Sequence, residues 1–180
     1  MNMTSYPDID NAGYQDAGFK PDKQTGEIKK TDTSADLIMA SGIPGLIPED
    51  VSLILPYKKW FGQIDNKKLF PLFSPETYHE NSLRSPDLNV LLTGSHYDIQ
   101  YLRKPDPLTT LVIFTFNPDR EKYAADQFLK TLEENNLSHN VILNPVFREK
   151  NLEDLQIKAS SLLGRFVIDK RIAGICLHNI

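Results

Sequence analysis

The 180-residue sequence contains a single cysteine, Cys176, which excludes an internal disulfide and any metal or cluster site built from several cysteines. Its neighbours from Ala173 to Leu177 are apolar, so we expect a buried strand thiol rather than a nucleophile. No apolar run approaches the roughly 20 residues that a membrane-spanning helix needs. Residues 1–6 lack the basic and apolar regions of a secretory signal. We therefore expect a soluble, cytoplasmic protein with no membrane partner.

An excess of positive charge is also missing. The chain has 20 Lys and Arg against 24 Asp and Glu, for a formal net charge of −4. A general nucleic-acid binder needs a basic face to displace counterions from phosphate, so we expect no nucleic-acid partner. The lysine pairs at 29–30, 58–59 and 67–68 are isolated among acidic residues and are typical of a solvated surface.

Several compact motifs of catalysis and ligand binding are absent. The sequence has no G-x-G-x-x-G, no G-x-x-x-x-G-K-[ST], no H-E-x-x-H, no G-x-S-x-G and no calcium loop. The four histidines lie on separate predicted elements, and none has a partner at the i, i+4 spacing of a metal site; they are His79, His96, His139 and His178. We expect no metal, no cofactor and no complete active site within this chain, although an enzyme assembled from distant elements stays open.

What the sequence does contain is a series of short apolar runs, at 35–40, 52–55, 69–73, 88–92, 111–116 and 141–143. Most are continuous rather than alternating, which is typical of strands covered on both faces in a parallel sheet. Pro71 cannot donate to a ladder, so the run around it is predicted to be an edge strand or a loop. The pair Lys59-Trp60 is compatible with a stacking platform or, more simply, with a core aromatic.

Two amphipathic helices separate the later strands. The first is predicted to open at Asn117-Pro118-Asp119, with Asn117 as N-cap, and to end at Asn135-Asn136. The second opens at Asn151, and its apolar face comprises Leu152, Leu155, Ala159, Leu162, Leu163 and Phe166. With a return strand at about 174–177, this gives a βαβαβ run of right-handed crossovers. The predicted fold class is α/β, with a mainly parallel sheet that is either open or a partial TIM-barrel-like barrel, and with covering helices.

Domain organisation follows from composition. Residues 1–34 are rich in Asp, Lys, Gly, Thr and Asn, and we expect a flexible or arm-like N-terminal segment there. Residues 35–180 are expected to form a single α/β domain.

Candidate ligand-binding residues lie where predicted strands end, because parallel α/β folds bind ligands beyond the carboxyl ends of their strands. They are Thr93, Ser95, His96, Asn117 and Asn144. Together with a helix N-terminus at 117–118 they could hold a small anion. Alternatively, these side chains simply terminate strands and cap helices.

A family resemblance is carried by 111–114, 126–135, 140–143 and above all by 151–169, NLEDLQIKASSLLGRFVID. In this order the segments resemble the end of the inserted middle domain of three-domain hydroxymethylbutenyl diphosphate synthase, found in plants and in Bacteroidetes. The resemblance covers about 35–178 and is specific over 151–177. It implies a barrel-like spacer between a catalytic barrel and a domain with a 4Fe–4S cluster. The whole enzyme opens a cyclic methylerythritol diphosphate reductively in isoprenoid synthesis, with electrons from ferredoxin or flavodoxin.

The chain departs from that family after its second helix. The family has Asp-Gly-Leu-Gly-Asp-Gly, whereas this chain has Asp169-Lys170-Arg171-Ile172-Ala173-Gly174, in which only Asp169 and Gly174 match. Lysine and isoleucine are not expected to replace glycine where the backbone needs a positive φ. The cluster ligands would lie beyond Ile180, so no catalytic or cofactor-binding residue of the family can be assigned here.

Three functions are compatible with the sequence. The first is a non-catalytic spacer or interaction domain, whose partners are the other domains of a parent enzyme or another protein. The second is a stand-alone module that binds a small anion or phosphate ester. The third is an enzyme without a local motif.

Overall fold

The computed structural model describes residues 3–6 and 11–180 of the chain. In chain order the first elements are β1 Met3–Tyr6, α1 Asn11–Asp16, β2 Lys20–Pro21, β3 Ile28–Lys29, β4 Leu37–Ala40, β5 Leu53–Pro56, α2 Tyr57–Trp60 and a 3-10 turn at Phe61–Gln63. They are followed by β6 Leu69–Phe73, α3 Pro75–Glu80, β7 Asn89–Gly94, α4 Gln100–Arg103, β8 Thr110–Phe116 and α5 Ala124–Glu134. The last are β9 Asn140–Phe147, α6 Leu152–Ile168, β10 Gly174–Ile175 and β11 His178–Asn179.

A single parallel sheet organises these elements. Its strand order is β1-β4-β5-β6-β7-β8-β9-β10, and β11 pairs with β9 beyond the end of β10. Every registered pair in it is parallel, whereas β2 and β3 form a separate antiparallel ribbon. The long apolar runs occupy the central strands, as expected for strands buried on both faces. The predicted α/β class with a mainly parallel sheet is confirmed.

The two faces of the sheet are covered differently. Successive side chains of a strand point to opposite faces. On one face, Val112 and Phe114 of β8 pack with side chains of α5 and α6, and the Phe114 ring stacks on Phe128 with centroids 4.1 Å apart. On the other face, Leu111 and Ile113 belong to a core cluster that contains no residue of a described helix.

The helix-free face is concave. Residues of β4 and of β9, which lie far apart in the strand order, line one cavity on this face. The sheet therefore curls around the cavity into a half-barrel, with the helices outside.

Residues 11–34, part of the segment expected to be flexible or arm-like, pack against this sheet. Tyr14, Phe19 and Ile28 are buried in a cluster with Ile38 and Leu53. The Tyr14 hydroxyl donates a hydrogen bond to the Leu46 carbonyl oxygen at 3.0 Å. Residues 3–6 add β1 to the sheet beside β4, and residues 1, 2 and 7–10 of the expected segment lie outside the described residues.

The expectation for Pro71 was wrong, because β6 lies between β5 and β7 and not at an edge. Pro71 is in register with Leu55 of β5. Registered pairing of β6 with β7 begins one residue later, with Leu72 opposite Val90. The missing N–H of the proline therefore falls just before the β6–β7 ladder, where it costs no registered pair.

The predicted start of the first long helix was also wrong. Helix α5 begins at Ala124 and has no side-chain cap. Asn117 instead closes a turn: its side-chain Oδ1 accepts from the Asp119 N–H at 3.0 Å, and its carbonyl oxygen accepts from the Glu121 N–H at 2.8 Å. Asparagine favours such local bonds over helix. The predicted end at Asn135-Asn136 is confirmed, and Asn136 has a φ of 56°.

Helix α6 begins as predicted. The Oδ1 of the cap residue Asn151 accepts from the Asp154 N–H at 2.8 Å. Ala159, Leu163 and Phe166 are buried. Leu152, which we placed on the same apolar face, is 67% exposed, so the first turn extends past the surface that the helix covers. No described helix is both long and apolar enough to cross a lipid bilayer.

The end of α6 contradicts the expectation that lysine cannot stand at a positive φ. Lys170 has a φ of 53°. Its N–H donates to the Val167 carbonyl oxygen at 3.2 Å, and the Arg171 N–H donates to the Phe166 carbonyl oxygen at 3.0 Å. This pair of bonds is a Schellman motif, which normally has glycine at the left-handed position.

Candidate functional site

Three of the five predicted ligand-binding residues, Ser95, His96 and Asn117, follow the carboxyl ends of β7 and β8, and Thr93 lies within the last two residues of β7. These strands are adjacent and in register, with Gly94 opposite Thr115. The turns that follow them are therefore neighbours. Thr93 is buried and His96 is exposed, and both line a cavity of about 460 Å³ between β7, β8 and the starts of α3 and α4.

Asn117 binds the Glu121 carboxylate, a partner that sequence reasoning missed. The Asn117 N–H donates to Glu121 Oε2 at 2.7 Å. This N–H is the main cause that holds the pKa of the Glu121 carboxyl below its ordinary value, and the charge of His96 contributes. The nearby Ser95 Oγ is buried without a hydrogen-bond partner among the described residues. An incoming anion would meet a carboxylate where the sequence predicted a free helix N-terminus.

Asn144, the fifth predicted residue, lies on the concave face. It is only 6% exposed and stands directly across from Thr115 in the β8–β9 register. Its Nδ2 donates to Thr115 Oγ1 at 3.0 Å. Its Oδ1 is buried and accepts no hydrogen bond from any described residue. An acceptor buried without a partner is costly, and native proteins seldom leave one.

The surroundings of Asn144 form a cavity of about 810 Å³ at the carboxyl ends of the strands. Met39, Ile54 and Leu72 form part of its wall, and Thr115 lies where this cavity adjoins the 460 Å³ cavity. The segment from Cys176 to Asn179 closes one side. This is the end of a parallel sheet at which ligands usually bind.

The thiol that lines this cavity is a poor nucleophile. Cys176 is buried, as predicted, and burial raises the pKa of its thiol from 9.0 to about 11. Elsewhere, His139 is buried with its Nε2 2.7 Å from the Leu102 carbonyl oxygen. Trp60 is a core residue whose Nε1 donates to the Leu69 carbonyl oxygen at 3.0 Å, which confirms the simpler reading of Lys59-Trp60. Within residues 3–6 and 11–180, no group of three or more His, Cys, Asp or Glu could hold a metal ion.

A third cavity, of about 670 Å³, lies between residues 118–123 and α6. Its cations are largely engaged by acids of the chain itself. Lys158 Nζ lies 3.1 Å from Asp119 Oδ1 and 2.5 Å from Glu149 Oε1, and Arg165 pairs with Asp126. These exposed ion pairs tie the 117–123 turn and α5 to α6, which is a structural role.

Thr115 and Glu121 are the site residues that sequence reasoning missed. Thr115 interrupts the apolar run of 111–116, and this polar residue near a strand end was a usable signal. Its pairing with Asn144 requires the register of β8 on β9, which the sequence does not supply.

Comparisons of the chain with protein-family models, curated proteins and solved structures found no match.

Proposed function

We propose that this chain is a non-catalytic structural domain that holds its neighbours apart. It would act as a spacer of the kind that the resembled middle domain of hydroxymethylbutenyl diphosphate synthase provides in isoprenoid synthesis. The observation that carries this proposal is the path of the chain across the sheet. The first strand, β1, and the late strand β10 lie at opposite ends of the strand order, and the strands between them from β4 onward follow in sequence order.

The path sets a distance. The strand order from β1 to β10 contains seven steps between neighbours, each roughly 4.8 Å, so the two edges lie about 34 Å apart along the curve of the sheet. Segments joined to the two ends of the chain would be separated by a framework of paired strands. A parallel sheet with packed helices resists deformation better than a flexible linker of the same reach.

The side-chain chemistry supports a structural role. The Asn117 N–H is bonded to Glu121, and Lys158 and Arg165 are paired with acidic side chains. None of these groups is aligned as a nucleophile with a base, which acyl or phosphoryl transfer would need.

The end of α6 supports the resemblance. Lys170 stands where the resembled family has the first glycine of its loop, and it adopts the left-handed conformation that glycine adopts most easily.

The first test is the sequence of the genomic locus. We expect an open reading frame that continues in frame on both sides, with cluster-binding cysteines and a glutamate downstream. Stop codons immediately on both sides would overturn the proposal.

The second test uses that longer protein. Replacing residues 11–179 by a flexible Gly/Ser linker of matching reach should preserve the iron–sulfur absorption but abolish turnover of the cyclic diphosphate. A Ser95→Ala, His96→Ala double variant, as control, should keep turnover. Full turnover with the flexible linker, or loss of turnover in the double variant, contradicts a spacer.

The anion-binding alternative has its own measurement. Because Glu121 already occupies the Asn117 N–H, we expect phosphate esters to leave the melting temperature unchanged. Stabilisation that the Ser95→Ala, His96→Ala variant loses would favour the alternative instead.

A further inference from the structure

We propose that the concave cavity around Asn144 binds an uncharged, largely apolar molecule that carries a hydroxyl group. This goes beyond the spacer role and does not depend on it. The site is the cavity of about 810 Å³ at the carboxyl ends of the strands, a size that lies within the range of small-molecule pockets.

The side-chain oxygen of Asn144 is an unpaired acceptor in this cavity. The residue is 6% exposed, lines the cavity, and its Oδ1 accepts no hydrogen bond from the described residues. Leaving a buried acceptor unpaired is unfavourable, because it has lost its bond to water without replacement. A ligand that donates a hydrogen bond to Oδ1 would recover this cost on binding.

The neighbouring hydroxyl of Thr115 is a donor. Thr115 Oγ1 accepts from Asn144 Nδ2 at 3.0 Å, which leaves the Thr115 O–H proton available as a donor. The cavity floor thus presents one acceptor and one donor side by side. An alcohol matches both, because its oxygen accepts from Thr115 while its proton is donated to Asn144.

The wall of the cavity determines which ligands fit beside these two groups. Much of the wall is apolar. Consecutive strands β4 to β7 contribute Met39, Ile54, Leu72 and Leu92, and β9 on the far side contributes Val146. The described residues that line the cavity include no Asp, Glu, Lys or Arg. His178, on the side closed by residues 176–179, is the titratable nitrogen base of the lining, and it is exposed. A carboxylate or phosphate beside the buried Asn144 would lose its hydration with no Lys or Arg to compensate, so the ligand is uncharged.

The test compares three probes of equal chain length. They are n-octanol, its isomer methyl heptyl ether, which accepts but cannot donate, and octanoate, which carries a charge. Binding to the chain is measured by ligand-observed NMR titration. We expect octanol to bind about three- to tenfold more tightly than the ether, as for one neutral hydrogen bond, and octanoate to bind more weakly than both.

The variants assign the preference to the amide. Asn144→Leu removes an unpaired buried polar group, so it should fold at least as stably as the parent and reduce the octanol-to-ether ratio to about one. Asn140→Leu is the matched control, since Asn140 is exposed at the other end of β9, and it should keep the ratio. Should Asn144→Leu fail to fold, Thr115→Val removes the donor and should weaken octanol and ether alike.

Four outcomes would overturn the proposal. They are a cavity that takes up no probe, equal affinity for octanol and ether in the parent chain, octanoate binding as tightly as octanol, and a ratio that survives in the folded Asn144→Leu variant.

Discussion

Replacing Lys170 by glycine should stabilise the fold. Lys170 is the left-handed residue of the Schellman motif after α6, with a φ of 53°. For a residue with a Cβ atom this conformation costs about 1–2 kcal/mol, whereas glycine adopts it freely. Introducing glycine also lowers the unfolding free energy by about 0.4–1 kcal/mol, because it increases the conformational entropy of the unfolded chain. The net increase in the free energy of unfolding should be about 0.5–1 kcal/mol.

The assay is urea denaturation followed by circular dichroism, with a rise in melting temperature of about 1–4 °C as a second readout. Lys170→Ala keeps the Cβ atom and should bring no gain. Lys130→Gly is the matched control, because Lys130 is 72% exposed in the right-handed interior of α5. That variant should lose about 1 kcal/mol. A Lys170→Gly variant that is no more stable than the parent, or an equal gain in Lys170→Ala, would refute the reasoning from backbone conformation.

Three further predictions concern individual groups. Asn151→Ala removes the cap that accepts from the Asp154 N–H and should lower the unfolding free energy by about 1 kcal/mol in urea titrations, with Asn151→Asp retaining most of it. The buried Cys176 thiol, whose pKa rises from 9.0 to about 11, should react with iodoacetamide about a hundredfold more slowly in the folded than in the unfolded chain. The stability that comes from keeping this thiol protonated is complete below pH 9.0 and is lost as pH rises towards 11. Equal labelling rates in the two states would contradict its burial. Because the pKa of Glu121 is lowered in the folded chain, its carboxylate stabilises the fold above the ordinary pKa of 4.5, and this stabilisation is lost as pH falls below 4.5. Glu121→Gln should therefore make the unfolding free energy depend less on pH in the acid range. An unchanged pH dependence would exclude the bond to Asn117.

Local signals predicted the elements that depend on neighbouring residues. The Asn151 cap and the acids after it marked the start of α6 correctly, and the continuous apolar runs indicated a parallel sheet. Asn117 has an equally good cap sequence, yet its side chain and carbonyl close a turn and the helix starts at Ala124. Two competing local structures of similar energy cannot be separated from sequence alone.

Features set by distant partners were not accessible in this way. Tyr14 and Phe19 read as part of a polar segment, but they are buried against strands that lie tens of residues away. Asn144 was predicted to terminate a strand, but β9 continues to Phe147, because Asn144 is paired in the ladder with Thr115, and that pairing depends on strand register. Pro71 misled the strand assignment because the tolerance for a missing donor depends on where the next ladder begins.

The nearly sequential strand order has a consequence for how this domain opens. From β5 to β9 each strand is hydrogen-bonded to the strands that come just before and just after it in the chain. Such an arrangement behaves as a linear stack, in which the outer members can detach while the inner ones stay paired. Amide hydrogen exchange should therefore be slowest in β7 and β8 and progressively faster towards β1 and β10. Attached segments would then pull on the parts of the sheet that yield first.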